Sequence, residues 1–214
     1  MSEPTPSVGA HLADELVDLD VRSSERVFEG RVWNVTRDTL DFAGAVLTRD
    51  YVDHTGAVAV LAIDDEDRVC LIRQYRHPIR AREWELPAGL LDEAAESPLA
   101  AAKRELAEEV DLEASDWAVL SDFHTSPGGS NEALRIYLAR GLTATATVFA
   151  RTDEESELEQ HWVPLDDIVS AVLARDVQNA ILVIGALAAD ASRTRGWKTL
   201  VDAETPWPRH PGSR

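Results

Sequence analysis

The chain has 214 residues, 44% of them hydrophobic, which is enough to build the core of one sizeable domain with a small companion. Its 39 acidic side chains against 21 basic ones give a formal net charge of -18. That field repels nucleic acid backbones and anionic bilayers, so it argues against binding either by electrostatics and leaves an anionic small substrate dependent on a metal or a local arginine. The one cysteine, Cys70, cannot form a disulfide within the chain and reads as a buried, inert thiol in the apolar run "RVCLIRQY". The amino terminus is acidic and lacks a basic segment followed by an apolar run. No stretch reaches membrane-spanning length, so a cytoplasmic protein is expected.

In chain order, the first twenty or so residues are polar and contain proline. "RVFEGRVWNVTRDTL" and "GAVLTRDYVDH" then alternate like strands around a turn at Phe42 to Gly44, a small antiparallel unit. "AVAVLAI", the acidic turn "DDEDR" and "VCLIRQY" predict a hairpin of two largely buried strands. After "WELPAG" comes a helix, followed by strands at "WAVLSDF", "ALRIYLAR" and "EQHWVPL". Two apolar helices are expected at about Asp166 to Arg175 and Asn179 to Arg193. The tail "ETPWPRHPGSR" reads as irregular.

The first helix is well signalled. Ser97 is a good N-cap, Pro98 suits the first helical position, and "LAAAKRELAEE" is rich in helix formers. Leu99, Ala102, Leu106 and Val110 fall at helical spacing and form a buried stripe. Glu105 and Glu109 stack one turn apart, with Glu108 on a neighbouring line, so three carboxylates gather on one side. Such pairs repel by a few tenths of a kcal/mol each on an isolated helix, and more in a partly dry cleft. A hard divalent cation reverses that sign, because carboxylate oxygens are the ligands that magnesium and manganese prefer. Arg104, one turn before Glu108, is placed to hold a carboxylate by a forked pair.

Gly89, Glu96, Arg104, Glu105, Leu106, Glu108, Glu109 and Leu112 together resemble the Nudix box. The spacing departs from that pattern twice: six residues separate Gly89 from Glu96 where five are usual, and Asp111 stands where a second glycine would be. Aspartate tolerates the left-handed backbone of a helix end better than most residues, and one extra loop residue can bulge without moving the helix acids. "LIRQYRHP", "REWELPAGLLDE" and "TSPGGSNEALRIYLA", with Pro127 sixteen residues after Asp111, are similar to the ADP-ribose pyrophosphatase branch of the Nudix hydrolases. The likeness implies an α/β Nudix fold, an α/β/α sandwich with a mixed sheet at residues 55–200. A small antiparallel strand unit at 1–54 would precede it and form a homodimer, and 201–214 would be an irregular tail.

The resemblance also implies a chemistry. Its substrate would be ADP-ribose or a related nucleoside diphosphate derivative, hydrolysed at the pyrophosphate with Mg2+, or with Mn2+ in its place. Glu105, Glu109, Glu108 and the backbone carbonyl of Ala88 would hold the metal, with Glu108 as ligand or orienting group. Glu155, then Glu154, in the acidic loop "RTDEESELEQHW" would supply the base, and Arg104 would complete the catalytic group. Arg76 suits a phosphate because its guanidinium offers a fork. Glu85 would accept from the adenine amino group or anchor its turn. Trp33 or Phe28 would stack on adenine, with Arg49 and Pro127 as further contacts. The six histidines have no metal-ligand spacing, Ser126 and Ser130 lack a nucleophile arrangement, and "PGGS" precedes no helix. Two alternatives stay open: a Nudix hydrolase acting mainly on another nucleoside diphosphate sugar or dinucleotide, and a sensor that binds ADP-ribose without cleaving it.

Overall fold

The structure is a computed structural model that describes residues 12–93, 95–147, 149, 158–210 and 212. The chain divides into two compact units, Met1–Asp50 and Tyr51–Arg214. Strands β1 (Val21–Glu29), β2 (Asn34–Phe42) and β3 (Ala45–Asp53) form one sheet in sequence order, and the last three residues of β3 belong to the second unit. The single strand expected across "RVFEGRVWNVTRDTL" is two. The chain reverses where the Gly30 N–H donates to the Trp33 carbonyl, and β1 then pairs antiparallel with β2. Ala43 and Gly44 have φ of 50° and 81°, the positive pair that a two-residue hairpin turn requires. Forked ion pairs, Arg22 to Asp41 and Arg37 to Asp50, tie the strands together. All nine residues of β1 are exposed.

The second unit is organised by β4 (Ala57–Ala62), in which every residue is buried. Side chains of a strand alternate between faces, so a continuous apolar run must be covered on both. Ala57, Ala59 and Leu61 join one core with helices α2 (Leu165–Ala174) and α3 (Ala180–Arg193). Val58, Val60 and Ala62 join a second core with α1 (Pro98–Val110). This is the α/β/α sandwich. The central sheet runs β11 (Val201–Asp202), β8 (Leu112–His124), β9 (Ala133–Ala144), β4, β7 (Ala88–Leu90). It is mixed, because β4 is parallel to β9 and antiparallel to β7.

A second sheet holds β10 (Glu159–Pro164), β5 (Arg68–Arg76) and β6 (Ala81–Glu85), all antiparallel. The hairpin expected between "AVAVLAI" and "VCLIRQY" therefore does not continue as a ladder. Both edges of β4 are taken by β9 and β7, and only the Ile63–Val69 bridge joins the two strands beyond their turn. The described residues at 203–210 are irregular, as expected, but the tail opens with a strand, β11, that pairs with β8, and Trp207 within it is buried. No helix among the described residues is long and apolar enough to cross a membrane.

Two consequences can be measured. Leu106 is fully buried on the core side of α1, so Leu106→Ala is expected to cost about 3 kcal/mol, read as a lower urea midpoint with an unchanged slope. Cys70 is buried, and burial pushes its thiol up to about 11. It should not react with a thiol reagent at pH 8 in the folded protein and should react fully once the protein is unfolded in urea.

Candidate active site

The site grows from the two ends of α1. At the start, Ser97 Oγ accepts from the Ala100 N–H at 3.2 Å, and Pro98 occupies the first turn, where no N–H is needed. In the preceding loop Ala95 has φ 70° and the Glu96 N–H donates to the Glu93 carbonyl. At the other end, Asp111 is left-handed, at φ 55° and ψ 38°, and its N–H donates to the Ala107 and Leu106 carbonyls. Aspartate thus supplies the backbone expected of glycine. Its carboxylate also accepts from the Phe149 N–H at 2.8 Å, a bond glycine could not make.

Between these caps, one guanidinium organises the acids. Arg104 forks onto Glu96, from Nε at 3.1 Å and Nη2 at 2.9 Å, and its Nη1 donates to Glu105 at 2.6 Å and Glu108 at 3.1 Å. The bond to Glu96 is the main reason that the Arg104 pKa is raised, and Arg104 in turn holds the Glu96 carboxyl below its usual range. Glu109 faces the other way, accepting from the Ala88 N–H at 2.9 Å. The backbone of β7 lies so close to the acid face that a methyl on Gly89 would collide with the Glu105 carboxyl. Ala88, Glu105, Glu108, Glu109 and Arg104 are therefore gathered at one place. The Glu105 and Glu108 carboxylates rest on Arg104, and no three metal-binding side chains among the described residues converge as a cluster.

A second polar group stands at the end of β5 and β6. Glu85 is 2% exposed and accepts a forked pair from Arg76, at 2.8 and 2.7 Å, and a third bond from Gln74 at 3.2 Å. Burying a carboxylate is tolerable only with such a set of partners. The bond to Glu85 raises the Arg76 pKa against the effect of burial, and the charge of Glu109 adds to it, so the two groups feel each other. Gln74 was missed in the sequence, although it is two residues from Arg76 and strand alternation puts both on one face. Trp84 was missed as well. It packs edge-on to His161 at 5.0 Å and under Arg73 at 5.4 Å.

Pro127 lies in an exposed turn whose Gly129 carbonyl accepts from the Val52 N–H. Phe28, Trp33 and Arg49 are carried by the first unit. Phe28 is exposed on β1, Trp33 is in the turn before β2, and Arg49 donates to the carbonyl of Thr48. Glu154 and Glu155 lie outside the described residues.

The chain is 41% identical to an ADP-ribose pyrophosphatase of Mycobacterium tuberculosis over 89% of its own length and 91% of that protein's. It is 34% identical to an ADP-ribose pyrophosphatase of Bacillus subtilis over 74% and 85% of the two chains. A crystal structure described as an ADP compounds hydrolase superposes with a TM-score of 0.70 at 25% identity, covering 86% of this chain and 99% of that one. The model of the NUDIX domain family matches residues 53–183, which span β4 to α3 and every box acid. By that match, over more than half of its length, this chain belongs to the NUDIX domain family.

Proposed function

We propose that the protein hydrolyses ADP-ribose to AMP and ribose 5-phosphate with magnesium, or manganese in its place. The likeness to relatives named ADP-ribose pyrophosphatase carries this reading, since one of them matches over about nine-tenths of both chains. The donor set fits the metal because it is oxygen only, and Gly89, having no side chain, lets the β7 backbone lie directly against the Glu105 carboxyl. Glu105, Glu109, Glu108 and the Ala88 carbonyl would hold the ion, which when bound neutralises phosphoryl oxygens and acidifies water.

The chain's own groups do the rest. Arg104 keeps Glu105 and Glu108 from repelling each other out of position. Arg76, its plane fixed by Glu85, takes a phosphate oxygen. Glu155, with Glu154 next, accepts the proton of the attacking water. The water oxygen bonds to one phosphorus, the bridging P–O bond breaks, and the bridging oxygen leaves with the other phosphate. The same reading makes the protein a homodimer through its first unit, where β1 is an edge strand that exposes Val21, Val27 and Phe28. It also places the protein in the cytoplasm, a reducing compartment that suits a free thiol.

Purified protein given ADP-ribose and magnesium should form AMP and ribose 5-phosphate faster than it splits other nucleotide sugars or dinucleotides, and a chelator should stop it. Glu109→Gln should lower kcat by about 10²–10³-fold with the fold intact by circular dichroism. Cleavage of another compound with ADP-ribose spared would refute the substrate assignment, and tight binding without cleavage would refute the enzyme. Gly89→Ala should lower kcat by about 10²-fold, because its methyl displaces the Glu105 carboxyl, and wild-type turnover in that variant would refute the close-approach argument.

A further inference from the structure

Residues 205–210 and 212 form a strap against the chain just before β4. Arg135, buried on β9, forks onto Asp122 at 2.7 and 2.8 Å and donates its Nη1 to the Thr205 carbonyl at 2.7 Å. Its guanidinium lies 4.8 Å over the Trp207 ring, and that ring is 4.7 Å from the ring of His210. His210 Nε2 is 3.1 Å from the Thr55 carbonyl, while its Nδ1 accepts from the Gly212 N–H at 3.1 Å. A carbonyl can only accept, so Nε2 carries the proton and the imidazole is neutral. Burial favours that form, and so does the charge of Arg135.

The ring meets Gly56, the residue just before β4. With φ at 87°, Gly56 has a backbone that side chains rarely adopt, and a methyl there would strike the imidazole. The Gly56 carbonyl accepts from the Leu91 N–H at 3.0 Å. Leu91 directly follows β7, an edge strand of three residues whose register against β4 rests on few bonds. At its other end the Ala88 N–H holds Glu109, and between them Gly89 abuts Glu105.

We propose that His210 is a positioning residue for the hydrolysis: seated on Thr55 and Gly56, it fixes the end of β7 and thereby the backbone against which Glu105 and Glu109 are set. Ala88 and Leu90 pack against the core and the Val60 N–H donates to the Pro87 carbonyl, so the start of β7 is fixed by the sheet. Its end is set by the Leu91 bond to Gly56, and displacement of that backbone by a fraction of an ångström moves the acids. The activity arm of this inference rests on the functional reading above, while its structural arm does not.

The test compares full-length wild type, His210→Ala and His210→Gln by ADP-ribose kinetics and by residue-resolved amide exchange. His210→Ala should lower kcat about tenfold with KM within about twofold, and should speed exchange at Leu91 and Ala88 relative to the amides of α3. His210→Gln, whose side-chain N–H can donate to the Thr55 carbonyl, should restore most of both. Unchanged kcat in an active enzyme, unchanged exchange at Leu91 and Ala88, or a uniform rise in exchange throughout the unit would each overturn the proposal. If the wild type leaves ADP-ribose uncut, the functional reading fails by itself and the exchange pattern still decides the role of His210.

Discussion

Repulsion among Glu105, Glu108 and Glu109 is the constraint around which the second unit is arranged, because helical spacing puts the three carboxylates on one side and their positions then have to be fixed by other groups. Arg104 relieves it from within the same helix, reaching Glu105 and Glu108 with one nitrogen and Glu96 with the other two. Glu109 is relieved from outside, by the N–H of Ala88. The acids are thus held between a cation at the helix surface and a backbone donor on an edge strand. Both sets of bonds are to ionised groups, the kind that is short and strong.

Holding that arrangement is the task of the sandwich. β4 is buried on both faces, so α1 rests on it through Leu106 and Val110 while its opposite side is left for the acids. β7 borders β4 and carries Ala88 and Gly89 to the same place. Arg76 and Glu85 come from the second sheet, whose strands β5 and β6 meet at Ile72 and Glu85. The polar group at the end of those strands approaches Glu109 because the two sheets diverge from a single turn at Asp64–Asp67. A continuous hairpin ladder would have carried Arg76 along β4.

Much of this was legible in the sequence because it rests on local rules. Ser97, Pro98 and the 3.6-residue stripe announce α1, and the unbroken apolar run at 57–62 announces a strand covered on both faces. Asp111 was readable as a helix end for the same reason. The divergence of β5 was not readable, since the edges of β4 are taken by strands far away in sequence and short-range patterning cannot report them. The pairing of Arg76 with Glu85 runs diagonally across the β5–β6 ladder, in which Arg76 is opposite Ala81 and Glu85 opposite Ile72, and composition does not encode that register. The tail misled because proline-rich character signals irregular backbone but not where that backbone lies, and here it crosses Arg135.

Asp111 carries a consequence beyond the helix it terminates. With glycine the left-handed turn would cost less, and the helix would end just as well. Aspartate trades that ease for a tether: its carboxylate grips the Phe149 N–H, beside the bond from the Thr145 N–H to its carbonyl that any residue here could accept. One residue therefore works as a hinge pin, joining the last turn of the acid-bearing helix to the point where the chain leaves β9 toward the acidic segment at 151–157. A shift of the helix axis would therefore carry Thr145 and Phe149 with it, which couples the acid-bearing helix to the strand end beyond it.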